Sequence, residues 1–249
     1  MEAPQPVRDY ARALTEELRR ILGDGLTGAY LHGSAAMGGW RPESSDVDLL
    51  AVSSRRLSGT EKEELGKRLQ ALVAPGAGLE FSLVVAGDIS PIVAAPPFEL
   101  HVTTGSDAKV ADGAGHSGDT DLVMHFAVCR KRGATVAGRP PKETLPAIPR
   151  ALLLTTLAAE LEWGLRSAPL HYSVLNACRA EAFAAEGRLL SKLEGARWAL
   201  RRGLDADLVS AAEAVQMGRD STIERERAEA FVGRARAAVL AALASSERD

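Results

Sequence analysis

The chain has 249 residues, of which 46% are hydrophobic and 25% charged, and this balance excludes an intrinsically disordered protein. Its net charge of −3 at pH 7 disfavours a dedicated nucleic-acid-binding protein, because such proteins usually carry a basic excess. The length allows one large domain or two smaller ones, and no apolar run reaches the roughly 18 residues of a membrane span.

The first predicted element is an amphipathic helix over residues 8–22. Apolar side chains recur on one face at helical spacing: Tyr10, Leu14, Leu18, Ile21 and Leu22. Arginine and glutamate occur throughout, and the apolar stretch of a signal peptide is missing. We therefore expect a cytoplasmic protein that does not associate with a membrane.

Short apolar runs separated by turn residues predict four strands, LTGAYLHG, DVDLLAVSS, GLEFSLVVAG and PFELHVTTG. Helices are predicted at SGTEKEELGKRLQALVA, with Ser58 as N-cap, and at DTDLVMHFAVCRKRG. Small and polar residues at 105–118 predict a mobile surface loop. The four prolines of TVAGRPPKETLPAIPR predict the connection between two domains.

From Ala151 onward the strand signals disappear, and Leu, Ala and Arg recur at helical spacing in a pattern that predicts a bundle of about five helices. The sequence therefore predicts an α+β fold in two domains. Residues 1–148 would form a small mixed sheet with flanking helices, and residues 149–249 an all-α helical bundle.

Two acidic residues occur in a predicted strand whose other residues are mostly apolar. Asp46 and Asp48 are two residues apart, so a strand directs both carboxylates to the same face. Like charges held together repel, and a divalent cation such as Mg²⁺ would compensate them with hard oxygen ligands. A solvated strand end is the alternative interpretation.

Gly33 and Ser34 form a turn that follows a strand and precedes a predicted helix near Ala35. Backbone N–H groups at such a turn attract phosphate, and the Ser34 hydroxyl adds a donor. A capped helix with an ordinary loop is the alternative. Glu80, in the next strand, is either an edge residue or a third metal ligand or base.

These motifs together resemble a known family. The pattern G-S-x-x-x-G-G followed by S-D-x-D-L and a later acid is similar to the nucleotidyltransferase superfamily of the DNA polymerase β type. Within it, YLHGSAAMGGWRPESSDVDLLAV, LEFSLVV, PPFEL, DTDLVM and VLNACRAEAFAAEGRLLSKLEGARWAL resemble segments of the aminoglycoside adenylyltransferases that modify streptomycin and spectinomycin.

The resemblance implies a role for each matching position. Asp46, Asp48 and Glu80 would hold Mg²⁺, and Glu80 would be the catalytic base. The residues implied to bind the nucleotide ATP are Gly33, Ser34, Ser45, Asp121, Arg179 and Lys192. The first domain would be the nucleotidyltransferase domain, and the helical domain would close over the nucleotide and substrate cleft.

The chain also departs from the streptomycin-modifying members of that family. They carry a tryptophan where Gly105 aligns, and acids where this chain has Arg166 and Pro169. The nearest acids are Glu160, Glu162 and Glu181, which we predict as substrate-binding residues. Spectinomycin or another hydroxyl compound is therefore expected as the preferred substrate.

The predicted function is Mg²⁺-dependent transfer of AMP from ATP to a hydroxyl of a small molecule, by a monomer. Two alternatives remain open. One is a macromolecular acceptor, either a protein or an RNA end, and the acidic net charge disfavours RNA. The other is a non-catalytic nucleotide-binding or antitoxin-like module, which the retention of all three acids disfavours.

Overall fold

A six-stranded mixed sheet forms the centre of the first unit of the chain. The computed structural model describes residues 3–246, and the chain divides into two compact units, one ending at Ile148 and one beginning at Pro149. The sheet has the order β5-β4-β3-β2-β1-β6, in which β2 and β3 run parallel and the other neighbours antiparallel. Its strands are β1 (Leu26–Leu31), β2 (Asp46–Ser53), β3 (Gly78–Val85), β4 (Leu100–Thr103), β5 (Lys109–Asp112) and β6 (Ala134–Gly138).

Five helices accompany this sheet: α1 (Gln5–Leu22), α2 (Gly33–Ala36), α3 (Gly59–Ala71), α4 (Asp121–Arg132) and α5 (Pro141–Thr144). The amphipathic pattern of the N-terminal segment correctly predicts α1, which buries Tyr10, Leu14, Leu18 and Leu22. Ser58 caps α3 as predicted, because its hydroxyl accepts from the Glu61 amide and the Glu61 carboxylate accepts from the Ser58 amide.

The two faces of the sheet have different partners. On one face, Val47, Leu49 and Phe81 join a core with side chains of α1 and α3. On the opposite face, hereafter the α4 face, Leu50 and Val84 pack with Phe126 of α4. Since side chains alternate along a strand, Asp46, Asp48 and Glu80 belong to the α4 face, at the end where its apolar packing stops.

Two segments of this unit differ from the sequence prediction. The sequence predicts a mobile surface loop over residues 105–118, but Lys109–Asp112 form β5, which pairs antiparallel with β4. This edge strand is largely exposed and carries no apolar alternation, so the sequence pattern concealed it. The connection predicted at TVAGRPPKETLPAIPR likewise contains β6, which pairs with β1, and the one-turn helix α5.

The second unit is a bundle of five helices in the described part of the chain: α6 (Arg150–Ser167), α7 (Leu170–Glu186), α8 (Lys192–Arg201), α9 (Ala206–Gln216) and α10 (Arg225–Ser246). Helix α7 is central, since it packs on each of the other four. Gly195 lets α8 approach α7 closely, because a Cβ there would lie 2.8 Å from Arg179 Cγ.

The predicted α+β class, with a small mixed sheet followed by an all-α bundle, is therefore confirmed. Between residues 3 and 246, none of the helices combines the length and apolar character that crossing a bilayer requires.

Candidate functional site

Three acidic residues lie at one end of the two parallel strands. Asp48 of β2 lies directly beside Glu80 of β3 in the parallel register, and Asp46 lies beside Gly78. Asp46 is exposed, Asp48 is partly buried, and the Glu80 side chain is 36% exposed. The structure therefore brings Asp48 and Glu80 together on the α4 face, with Asp46 one step toward solvent.

The Gly33-Ser34 turn contacts the same group. Gly33 has φ +54°, and a Cβ at this position would lie 1.9 Å from Asp48 Oδ2. The backbone N–H of Ser34 donates a hydrogen bond to the Asp48 carboxylate, and the His32 N–H donates to the Asp48 carbonyl at 3.1 Å. Only glycine fits this approach, so the turn and the acid are fixed to one another.

The electrostatics of Asp48 follow from this crowding. Burial raises its pKa to about 7, and the neighbouring Glu80 and Asp46 carboxylates contribute in the same direction. The ring of His125 and the Ser34 N–H oppose the shift. Asp48 thus lies where negative charge is unfavourable unless a cation compensates it.

Two histidines that no sequence motif indicated complete this end of the sheet. His125 Nε2 lies 3.8 Å from Glu80 Oε1, and the His125 and His32 ring centroids are 4.7 Å apart. Burial, with a smaller contribution from His125, holds the pKa of His32 well below its ordinary value. Their sequence positions offered a signal: His32 precedes Gly33, and His125 follows Asp121 by one helical turn.

Two further predicted residues occupy the border of this region. Asp121 is exposed at the first position of α4, and its N–H donates to Asp119 Oδ1 at 2.9 Å. The Ser45 hydroxyl accepts from the Arg41 N–H at 3.0 Å, and the Ser45 carbonyl accepts from the Ala77 N–H at 3.0 Å. Ser45 is therefore used in closing the turn before β2.

In the helical unit, three predicted residues belong to one polar cluster. Glu160 Oε1 accepts from the Tyr172 hydroxyl at 2.9 Å and from Asn176 Nδ2 at 3.1 Å. Lys192 Nζ lies 4.4 Å from the centroid of the Tyr172 ring, and Arg179 donates to Asn176. Tyr172, Asn176 and Arg179 share a face of α7 because they are spaced by four and three residues.

The other two predicted substrate acids lie apart from this cluster. Glu162 forms ion pairs with Arg166 at 3.4 Å and with Arg236 at 2.9 Å. Burial raises the pKa of Glu181, while Arg234 and Arg202 act in the opposite direction. Side chains two positions apart on a helix point about 200° away from each other. Glu162 therefore does not share a face with Glu160, and Glu181 does not share one with Arg179.

The acidic residues at this end of the sheet match only part of the ligand set of a divalent metal. Within residues 3–246, no three His, Cys, Asp or Glu side chains converge as a ready-made metal-binding group. Mg²⁺ is usually held by one or two carboxylates plus phosphate oxygens and water, which matches the paired acids of β2. Asp46 and Asp48 are the residues that could hold Mg²⁺ in company with a triphosphate.

Models of two known protein families match different parts of the chain. The model of the nucleotidyltransferase domain matches residues 11–99. The model described as aminoglycoside adenylyltransferase, C-terminal domain, matches residues 143–238. These matches fall on the sheet-based part and on the helical bundle, respectively.

Two individual proteins are also similar to this chain. A spectinomycin 9-adenylyltransferase from Campylobacter jejuni is 30% identical over 137 residues, a stretch that covers 52% of this chain and 52% of that protein. The crystal structure of spectinomycin adenyltransferase AAD(9) from Enterococcus faecialis with ATP and spectinomycin has a TM-score of 0.69 at 17% identity. That match covers 93% of this chain and 98% of the other, and it shows a shared fold.

Proposed function

This chain belongs to the aminoglycoside adenylyltransferase family, and from that premise we propose that it transfers AMP from ATP to a hydroxyl group of an aminocyclitol such as spectinomycin. The observation that carries the proposal is the register of β2 and β3. It sets Asp48 beside Glu80, within contact of the Gly33-Ser34 turn.

Glu80 is the proposed catalytic base. Its carboxylate lies next to Asp48, and its side chain is 36% exposed, so an incoming hydroxyl can reach it. Glu80 accepts the hydroxyl proton while the substrate oxygen attacks the α-phosphorus of ATP and pyrophosphate leaves. Apolar packing behind the three acids holds β2 and β3 in register during the reaction.

Asp46 and Asp48 are the proposed ligands of Mg²⁺, and Glu80 is a proposed third ligand. When bound, the ion would supply charge neutralisation for the phosphate oxygens and for the leaving pyrophosphate. The crowding of Asp48 supports this assignment, since a partly buried carboxylate near two others is stabilised by a cation.

We propose nucleotide binding for six of the predicted residues, taken unit by unit. Gly33, Ser34, Ser45 and Asp121 are the candidates in the first unit, with the Ser34 hydroxyl as a phosphate donor. Arg179 and Lys192 are the proposed triphosphate-binding residues of the helical unit. Arg179 donates a hydrogen bond to Asn176, and Lys192 lies over the ring of Tyr172. These contacts support the assignment, because they fix long basic side chains in place.

The acceptor is proposed to be spectinomycin in preference to streptomycin. A multiply cationic drug requires carboxylates, since each charge-assisted hydrogen bond contributes roughly 1.5–3 kcal/mol. Of the three predicted substrate acids, Glu162 is paired with arginines and Glu181 lies near two more. Glu160 is the remaining candidate, and its Oε1 atom already accepts two hydrogen bonds.

The experiment that tests the function is incubation with labelled ATP and Mg²⁺ against a panel of aminocyclitols. Mass spectrometry should detect a product heavier by one AMP with spectinomycin, and omission of Mg²⁺ should abolish it. A set of protein and RNA acceptors run in parallel would detect a macromolecular substrate. ATP binding without transfer to any acceptor would contradict the proposal.

The substrate preference has a separate test. Streptomycin and spectinomycin would be titrated calorimetrically into the ATP-loaded Glu80→Gln variant, in which transfer should be slowed about 10²-fold or more. We expect heat from spectinomycin and none from streptomycin. Micromolar binding of streptomycin would overturn the preference while leaving the proposed reaction intact.

A further inference from the structure

A histidine on α4 lies close to the carboxylate of the candidate base, Glu80. His125 lies between Leu122 and Phe126 in sequence, and both of these side chains are fully buried against the α4 face of the sheet. The same packing directs His125 toward the carboxylate end of that face, where its side chain is 21% exposed. Its Nε2 atom lies 3.8 Å from Glu80 Oε1.

His125 is itself held in place by a second ring. His32 is 3% exposed, and the two imidazoles stand 4.7 Å apart with a 45° interplanar angle. The His32 N–H donates to the carbonyl of Asp48, so this ring is anchored to β2 through the backbone. Helix α4, the Gly33 turn and strand β2 are thereby connected through the histidine pair.

The position of Glu80 explains why such a support matters. Its neighbour in the register is Asp48, and two adjacent carboxylates repel one another. Repulsion alone would turn the Glu80 carboxylate away from the site and toward solvent. An N–H group near the carboxylate counteracts this tendency, and the Nε2 atom of His125 is close enough to Glu80 Oε1 to serve in this way.

We propose that His125, supported by His32, is a positioning residue that holds the Glu80 carboxylate in its orientation for proton abstraction. The inference rests on the proposed adenylyl transfer and adds a residue to its machinery. His125 acts through Glu80, so its loss should lower kcat without weakening ATP binding. A displacement of about 1 Å at a reacting group can cost up to about 10²-fold in rate.

A kinetic double-mutant cycle tests the proposal. His125→Leu should reduce kcat about tenfold or more and leave the KM for ATP within about twofold. His125→Gln, whose amide can reach the position of Nε2, should restore much of the rate. In a Glu80→Gln background, His125→Leu should cause no further loss. Equal losses in both backgrounds would overturn the proposal.

The matched control is His116→Leu. His116 is exposed, and its ring lies 5.4 Å from that of Phe98. It therefore undergoes the same chemical change on a side chain that does not contact Glu80, and its kcat should stay at the wild-type value. A loss at His116 equal to that at His125 would also overturn the proposal.

A stability cycle separates this inference from the proposed reaction. Denaturant midpoints of Glu80→Ala, His125→Leu and the double variant should be non-additive, because each single change removes the same contact. If the wild-type chain transfers no AMP, the proposed function fails, and this cycle still judges the contact. Additive midpoint shifts would overturn the positioning of Glu80 by His125.

Discussion

The candidate residues of the two units are held in different ways. In the first unit, Asp46 and Asp48 follow one another on β2, and strand pairing places Glu80 beside them. In the helical unit, Glu160, Arg179 and Lys192 come from three helices and are connected by Tyr172 and Asn176. Backbone pairing fixes the first group, whereas side-chain hydrogen bonds and a cation–π contact fix the second.

This contrast predicts that substitutions in the two groups affect different properties of the protein. A side chain fixed by strand register can be exchanged for an isostere without moving its neighbours, so such a change isolates the chemistry. A side chain that is part of a polar cluster contributes to both binding and packing. Substitutions in the first unit should therefore affect turnover most, and substitutions in the second should affect ATP affinity and stability.

The largest effect is expected for Asp48→Asn, which removes a proposed metal ligand. Loss of several kcal/mol of transition-state stabilisation corresponds to a decrease in turnover of about 10³-fold or more. Steady-state kinetics with spectinomycin and ATP would measure it, and circular dichroism would check that the fold is retained. Full Mg²⁺-dependent turnover in this variant would contradict the assignment.

The same substitution should change how stability depends on pH. The folded-state pKa of Asp48, about 7, lies above its ordinary value of 3.8, so the folded state binds this proton more tightly than the unfolded state. The stability it contributes is present below about pH 4 and is lost as the pH rises through 7. In metal-free buffer, Asp48→Asn should gain on the wild type by on the order of a few kcal/mol between pH 4 and 8. Denaturant unfolding at several pH values would show this, and a pH-independent difference would refute it.

Glu80→Gln is expected to have the next largest effect. Turnover should fall about 10²-fold or more, the usual scale for losing a positioned base. ATP binding should persist, because the amide retains the shape of the side chain and the triphosphate contacts remain. Isothermal titration with ATP would make the distinction: loss of ATP binding would indicate that Glu80 is mainly a metal ligand.

A smaller effect is expected for Lys192→Met in the helical unit. Loss of one charge-assisted hydrogen bond to the triphosphate should raise the KM for ATP about tenfold or more, with a lesser change in kcat. Lys67→Met is the matched control, since Lys67 is exposed and pairs with Glu63 on α3. Equal KM values for the two variants would exclude Lys192 from the nucleotide site.

The smallest effect is expected for Tyr172→Phe. The change removes the hydroxyl that donates to Glu160 and should lower the free energy of unfolding by about 1 kcal/mol. Glu162→Gln, an exposed residue paired with arginines, should change it by less than about 0.5 kcal/mol. If the two variants were equally stable, the polar cluster would contribute nothing to folding.

Much of this organisation could be predicted from the sequence. Alternation in DVDLLAVSS and GLEFSLVVAG predicts β2 and β3, and the spacing of Asp46 and Asp48 predicts that their carboxylates share a face. Strand β5 could not be predicted, since an exposed edge strand of four residues needs no apolar pattern. Strand β6 could not be predicted either, because the prolines that follow it are typical of a connection between domains.

The site residues that the sequence did not predict were hidden for one common reason. His125 and Glu80 are distant in sequence and meet because α4 packs across the sheet. Tyr172 and Asn176 are separated from Glu160 by 12 and 16 residues, respectively, and are united by the packing of α6 on α7. Helical periodicity places side chains on a face, but it does not specify which faces meet.

Strand β6 determines where the chain can be divided for protein engineering. It pairs with β1, and the segment beyond it contributes Leu145 and Ile148 to the apolar core on the α4 face. A fragment that stopped at Arg132 would leave β1 as an open edge, and open edges promote intermolecular strand pairing. A soluble fragment of the first unit must therefore extend through Ile148, so the proline-rich segment belongs to the catalytic half in any recombinant or chimeric design.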